Sequence, residues 1–220
     1  MGYQEVINVN GVWLPDNETH MQEFLLWKAN VVGGIGTYQL DKINFALSLC
    51  KDFRVALDIG SHVGTWTRLL SMRFDKVICF EPNPEALKCF HRNVEDWKIG
   101  NAEINEVALG EFEKDAFLYQ SPDNTGGSRI SGSGVPCKMK TLDSFDIDAV
   151  DFIKVDCEGY EYFVLRGGEK LIKRTKPLIV VEQKKADNYD IGDMAACKLL
   201  ESWGAKRLGK IVGDYYYGWQ

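Results

Sequence analysis

A chain of 220 residues with 45% hydrophobic content can bury one substantial core, which implies a single domain. Its net charge of −6, with basic residues scattered rather than clustered, argues against a nucleic-acid surface as the main partner. The densest basic groups, Lys170 to Lys176 and Lys184-Lys185, are short. No run approaches the ~18 apolar residues of a membrane span, and Met1-Gly-Tyr-Gln-Glu5 lacks the basic and apolar regions of a signal peptide. The six cysteines (50, 79, 89, 137, 157, 197) make no C-x-x-C pair and no zinc spacing, so reduced thiols in a cytoplasmic protein are expected.

Residues 1–50 read as an N-terminal helical or lid region. An irregular or β-hairpin-like lead-in over 1–19 precedes a helix over Met21–Ala29. A second helix spans Asp41–Cys50, with Ile43, Ala46, Leu47 and Cys50 at helical spacing and Asp41 as its cap. Between them the glycine-rich Val31–Tyr38 is either a lid over a ligand or a connector. Residues 54–110 alternate: strand Arg54–Ile59, helix Gly64–Arg73, strand Lys76–Phe80, helix Pro84–Val94 and strand Ala102–Leu109. Leu87, Phe90 and Val94 form the inward stripe of the second of these helices.

Residues 111–140 break the rhythm. Strands over Asp115–Gln120 and Val135–Met139 flank the Gly/Ser-rich loop Asp123–Gly134, an inserted hairpin at the mouth of a site. Over 150–220 the alternation resumes. Strand Val150–Val155 is followed by helix Tyr160–Gly167, a helix or turn over Gly168–Thr175 and strand Pro177–Val181. Helix Asp193–Trp203 and strands Ala205–Val212 and Asp214–Trp219 close the chain. Strand–helix alternation of this kind implies a mostly parallel sheet with helices on both faces.

Two segments carry chemistry. Val55-Ala-Leu-Asp-Ile-Gly-Ser-His-Val-Gly-Thr65 is a strand, a glycine turn and a helix start, and Glu81 follows Gly64 by 17 positions at the tip of the next strand. That is an arrangement for a nucleoside-containing ligand, whose ribose hydroxyls need an acceptor there. A dinucleotide turn reads G-x-G-x-x-G, but its second and third glycines fall here on His62 and Thr65. Asp58 beside the turn suits an ammonium and a sulfonium better than two phosphates, and D-x-G-x-x-x-G resembles motif I of the S-adenosylmethionine (SAM)-dependent methyltransferases. The second segment is Phe152-Ile-Lys-Val-Asp-Cys-Glu-Gly-Tyr-Glu161. It delivers Asp156 and Glu158 to a strand's carboxyl end, where ligands of open α/β sheets bind and where unpaired carboxylates are expensive.

The run Lys154-Val-Asp-Cys-Glu-Gly-Tyr-Glu161, followed by Val164-Leu-Arg-Gly-Gly168 and Lys176-Pro-Leu-Ile-Val-Val-Glu182, resembles the FkbM family of SAM-dependent methyltransferases. Glu106-Val-Ala-Leu-Gly110 and Thr141-Leu-Asp143 match further elements of that family, and the similarity runs from about Gly36 to Gln183. The resemblance implies a class I methyltransferase sheet of seven strands, Rossmann-like, with the last strand antiparallel. It implies SAM as cofactor and O-methylation of a hydroxyl on a sugar or small natural product.

Residue by residue, it implies that Gly60, Ser61, His62 and Gly64 wrap the methionine half, with Asp58 supporting its amino group and Tyr38, Thr65 and Asp156 nearby. Glu81 takes the ribose, Pro82 and Asn83 lie beside the adenosine, and Glu106, Val107 and Ala108 line the adenine. Asn124, Ser128, Lys154 and Glu182 are candidate acceptor contacts. For the chemistry, Asp156 or Glu158 is expected as general base. Alternatively Asp156, Glu182 and Gln183 hold Mg²⁺, or the two acids only bond backbone amides of the next helix.

His62 is a further candidate base or cofactor contact. His20 and His91 are expected at the surface. Tyr215–Trp219 either stacks on a sugar or packs inward. Two other functions stay open: methylation of a protein or nucleic-acid acceptor, and a non-catalytic SAM-binding module.

Overall fold

The structure is a computed structural model and describes residues 5–183 and 189–219; the Lys184-Lys185 pair lies outside them. The chain opens with an antiparallel hairpin, β1 (Val6–Val9) and β2 (Val12–Pro15), then α1 (Thr19–Trp27). The glycine-rich connector folds as a second, very short hairpin, β3 (Val31–Val32) with β4 (Ile35–Gly36). Helix α2 (Leu40–Leu49) follows. Asp41 lies in its first turn and is not its cap; Gln39 occupies that position in a left-handed conformation with no side-chain cap bond.

The expected alternation is present as β5 (Val55–Ile59), α3 (Thr65–Ser71), β6 (Lys76–Phe80) and α4 (Pro84–Asp96). The next expected strand, Ala102–Leu109, is in fact two. β7 (Ala102–Asn105) pairs with β6, whereas β8 (Ala108–Leu109) turns away into a separate sheet. The chain leaves the main sheet at Glu106-Val107, where the Val107 N–H bonds back to Asn105 O at 2.9 Å.

The inserted segment is larger than a hairpin. β9 (Lys114–Tyr119), β10 (Arg129–Ser131) and β11 (Val135–Lys140) join β8 in a four-stranded sheet of order β10-β9-β11-β8. After it come β12 (Phe152–Val155), α5 (Glu161–Gly167), α6 (Glu169–Thr175) and β13 (Leu178–Glu182). Helix α7 (Ala195–Ser202), β14 (Lys206–Ile211) and β15 (Asp214–Gly218) complete the described chain.

The seven-stranded sheet has the order β14-β15-β13-β12-β5-β6-β7. β13, β12, β5, β6 and β7 are mutually parallel, and β15 runs antiparallel to both its neighbours. This is the class I methyltransferase sheet, last strand reversed, that the resemblance implies. In the β14–β15 pairing the register shifts between Arg207 and Gly209.

Side-chain alternation sends Leu57, Ile78, Ile153 and Val181 to one face, against α5, α6, α7 and the second sheet. Ala56, Val77, Phe152 and Val180 go to the other, against α2, α3 and α4. Tyr215, Tyr216 and Tyr217 are buried, Tyr215 and Tyr217 on the first face and Tyr216 on the second, so this aromatic run packs inward. The N-terminal hairpin and α1 pack onto α4 through Val12, Leu14, Ala86 and Cys89. Among the described residues no helix is long and apolar enough to cross a membrane. All six cysteines are free thiols, three of them buried.

Candidate active site

From β5 the sheet order runs one way to β6 and β7 and the other way to β12 and β13. A crevice therefore opens beyond the carboxyl ends of β5 and β12, the topological switch point. It holds a cleft of about 1120 Å³, part of it open to solvent.

One wall is the turn after β5. Gly60 has φ +76°, and a Cβ there would collide with the carbonyl oxygen of Asp156, so the turn lies hard against the end of β12. Ser61 bonds back to Asp58 O at 2.7 Å, and His62 is held at φ +52°. Gly60, Ser61, His62 and Thr65 face the cleft. Gly64 and Asp58 do not: Gly64 backs onto Phe90. Asp58 is fully buried and takes the Thr67 hydroxyl at 2.6 Å, with the Lys154 ammonium 3.5 Å away.

Glu81, at the tip of β6, accepts the backbone N–H of His62 (2.7 Å) and of Asn83 (2.8 Å). Burial pushes its carboxyl up to about 7, against the lowering effect of those two bonds. Pro82, Val107 and Ala108 continue this wall, with Ile59 and Phe80 adding apolar surface. Asn83 sits behind it, buried, capping α4 through Glu85 N (3.0 Å) and donating to Ser128 Oγ (3.1 Å). Glu106 is at the surface, paired with the exposed His91 at 2.8 Å, and is not part of the cleft.

The opposite wall is the end of β12 and β13. Lys154 is buried and donates to Gly60 O at 2.8 Å; Asp156 is 3.7 Å away. Burial opposes its charge, but Asp58 and Asp156 outweigh that and raise its pKa above the usual lysine value. It is therefore a fixed cation and no base. Oxygen atoms of Asp156, Glu158 and Glu182, all half-buried, lie within 4.8 Å of one another. Gln183 stands outside the cleft and accepts the Ala196 N–H at 3.2 Å, so the acid trio, not the expected Asp156–Glu182–Gln183 set, shares the site.

In the turn ahead of α5 two backbone amides go to Glu161, whose Oε1 accepts Cys157 N (2.9 Å) and Gly159 N (3.0 Å).

The roof comes from the inserted loop and the N-terminus. Tyr38 lines the cleft, as do Asn124 and Ser128. Asn124 caps the short 3₁₀ turn Thr125–Gly127, taking Gly127 N at 3.2 Å. The sequence did not point to Glu18, Thr125, Arg129 or Tyr160, which also line the cleft, nor to His20, exposed as expected but at the cleft's edge. Glu18 and His20 come from a segment with no motif and Thr125 and Arg129 from the Gly/Ser-rich loop, whereas Tyr160 lies inside the Lys154–Glu161 run; only folding brings them to one cleft. His62 Nε2 is 2.7 Å from Thr125 Oγ1, and burial lowers the imidazole pKa despite the nearby Glu18, leaving the ring neutral.

Residues 58–206 match the family model described as "Methyltransferase FkbM domain". "Methyltransferase 1" of Beauveria bassiana is 25% identical over 179 residues, covering 67% of this chain and 70% of that protein. The "hexuronic acid methyltransferase AglP" of Haloferax volcanii is 24% identical over 172 residues, covering 76% and 70%. The fold resembles the crystal structure of a "Methyltransferase FkbM" from Methylobacillus flagellatus, with TM-score 0.54 and 17% identity over 77% of this chain. This chain spans 45% of that one. It also resembles a precorrin-8w decarboxylase from Methanobacterium thermoautotrophicum, with TM-score 0.50 and 16% identity, over 83% of this chain and 91% of that one. The family match extends over well more than half of the sequence, and the chain belongs to the FkbM methyltransferase family.

Proposed function

We propose that the chain is a SAM-dependent O-methyltransferase whose acceptor is a hydroxyl of a sugar or small natural product. The observation that carries this reading is the pairing, across one cleft, of Glu81 at the tip of β6 with the carboxylates Asp156, Glu158 and Glu182. An acid at the second strand tip suits ribose hydroxyls, and the apolar Val107 and Ala108 beside it suit an adenine ring. The turn Gly60–His62, with Thr65 and Tyr38, takes the methionine half. Asp58, Gly64, Asn83 and Glu106 act from behind these walls and not by contact. When bound, the cofactor supplies an electrophilic methyl group on a sulfonium.

The protein's own work is placement and proton removal. Asp156 takes the proton of the acceptor hydroxyl, and Glu158, Glu182, Asn124 and Ser128 orient the acceptor against it. Lys154 fixes the turn through Gly60 O and holds a positive charge 3.7 Å from Asp156. That ammonium, shared with the buried Asp58, offsets part of the negative charge at the acid trio. A sugar is favoured because ring hydroxyls match clustered carboxylates, and because one relative is described as a hexuronic acid methyltransferase.

Calorimetry with S-adenosylhomocysteine tests the cofactor half: micromolar binding is expected, weakened about tenfold or more in Glu81→Ala. No binding to the wild type overturns the reading. On the acceptor side, Asp156→Asn is expected to cut turnover about 100-fold with the homocysteine product still bound normally; unchanged turnover overturns the placement of the base.

A further inference from the structure

His62 is joined to two residues from distant parts of the chain. Its Nε2 is 2.7 Å from Thr125 Oγ1, which is 2.6 Å from Glu18 Oε2. Glu18 also accepts Gly126 N at 3.1 Å and, through Oε1, Met21 N at 3.0 Å. A carboxylate can only accept, so the Thr125 hydroxyl gives its single hydrogen to Glu18 and receives one from His62. This network assigns the ring hydrogen to Nε2 and leaves Nδ1 as a bare acceptor.

The arrangement is one proton short of an ion pair. Glu18 is fully buried and its Oε2 is 3.7 Å from His62 Nε2, yet the ring is neutral. The other charged groups facing His62 are Lys154 and Asp156 at the end of β12, and Glu81, which holds the His62 backbone N–H. Lys154 is committed to Gly60, Asp58 and Asp156. Arg129, the other cation of the cleft lining, lies over the Tyr119 ring in the inserted sheet, so an anion at the turn itself would meet a cation in His62 once that ring is protonated.

We propose that Glu18, Thr125 and His62 form a proton-linked carboxylate site. When the amino-acid end of the cofactor enters the turn, His62 takes one proton from solvent at Nδ1 and donates it in a hydrogen bond to the incoming carboxylate. Glu18, through Thr125, supplies the compensating negative charge behind the ring, so the imidazolium is held between two anions. Glu18 and Thr125 are positioning residues; His62 is the contact. This rests on the SAM-binding reading and assigns the site that recognises the ligand's carboxylate.

The test is calorimetry at about pH 8, where free histidine is neutral, in two buffers of different ionisation enthalpy. The probes are S-adenosylhomocysteine and its decarboxylated analogue, titrated into wild type, His62→Asn, Thr125→Val and Glu18→Gln. The wild type is expected to take up about one proton per S-adenosylhomocysteine and none with the analogue. It should bind the analogue about tenfold more weakly, the worth of one charge-assisted hydrogen bond.

Asparagine tolerates the left-handed backbone at position 62, so His62→Asn is expected to fold, take up no proton and bind the two probes alike. Thr125→Val, which leaves the α1 cap intact, should lose most of the uptake even if Glu18→Gln unfolds. Undiminished uptake in His62→Asn, no uptake in the wild type, or discrimination that survives in His62→Asn overturns the proposal while leaving the cofactor reading standing. Failure of the wild type to bind either probe overturns both.

Discussion

Glu161 shows how a single residue in a motif can be structural while its neighbours face the cleft. It is 1% exposed, its Oε1 gathers two backbone amides, and its Oε2 has no hydrogen-bond partner among the described residues. Burial, outweighing those amide bonds, pushes its carboxyl up to about 7, as it does for Glu81. A carboxyl raised above its unfolded value of about 4.5 stabilises the fold fully below that pH, and the contribution is lost as pH rises through about 7. His62, lowered by burial, works in the opposite sense: its contribution is present above the ordinary histidine value of about 6.5 and is lost as pH falls below that towards its lowered folded value.

The difference between wild type and Glu161→Gln isolates Glu161, because glutamine keeps an oxygen for the two amides. Urea unfolding at pH 6 and 8 should show the wild type losing stability relative to the variant, by about 1.4 kcal/mol in total across that interval. Parallel curves would refute the raised pKa. At this scale the sequence showed Glu81 and Asp156 clearly, since each ends a readable strand. Glu18 was hidden: nothing local distinguishes an acid capping α1 from one that reaches Thr125, 107 positions away.

The motifs that carried the resemblance are largely devices for packing one element on another. The Gly167 that ends α5 lies against Gly110 at the end of the Glu106–Gly110 motif, and a Cβ on it would collide with the Gly110 carbonyl oxygen. Asp143 of the Thr-Leu-Asp motif accepts the Lys170 (3.1 Å) and Leu171 (2.9 Å) amides in the first turn of α6. Gly167→Ala is a sharp test, because helix propensity alone would favour alanine by up to about 1 kcal/mol.

The collision decides the sign: a net loss of about 1–3 kcal/mol is expected in thermal unfolding, with S-adenosylhomocysteine affinity of the folded protein unchanged. Strands and helices of the alternating core were legible because hydrophobic runs of strand length bracket amphipathic stretches. The break of Ala102–Leu109 into β7 and β8 was not. No Gly or Pro marks Glu106-Val107 as a break, and only the second sheet, absent from any local pattern, decides where the chain turns.

At the scale of the molecule, the cleft is assembled from three sources: the sheet's switch point, the inserted four-stranded sheet and the N-terminal segment. The floor was readable element by element, whereas the roof was readable only as a loop at the mouth of a site with Tyr38, Asn124 and Ser128 as candidates, because β10 and the Thr125–Gly127 turn lie in a Gly/Ser-rich stretch with no periodicity of its own. The same contrast marks the far margin of the main sheet. β14 is an outer strand with a row of backbone groups facing outward, and such a row invites another chain to add itself. The register shift between Arg207 and Gly209 interrupts that row, and Lys206, Arg207 and Lys210 stand exposed along it. An approaching strand would lose its ladder at the shift and crowd its side chains among cations. The irregularity that looks like imperfect pairing thus works as a stop, ending the sheet at seven strands and guarding it from fibrous growth.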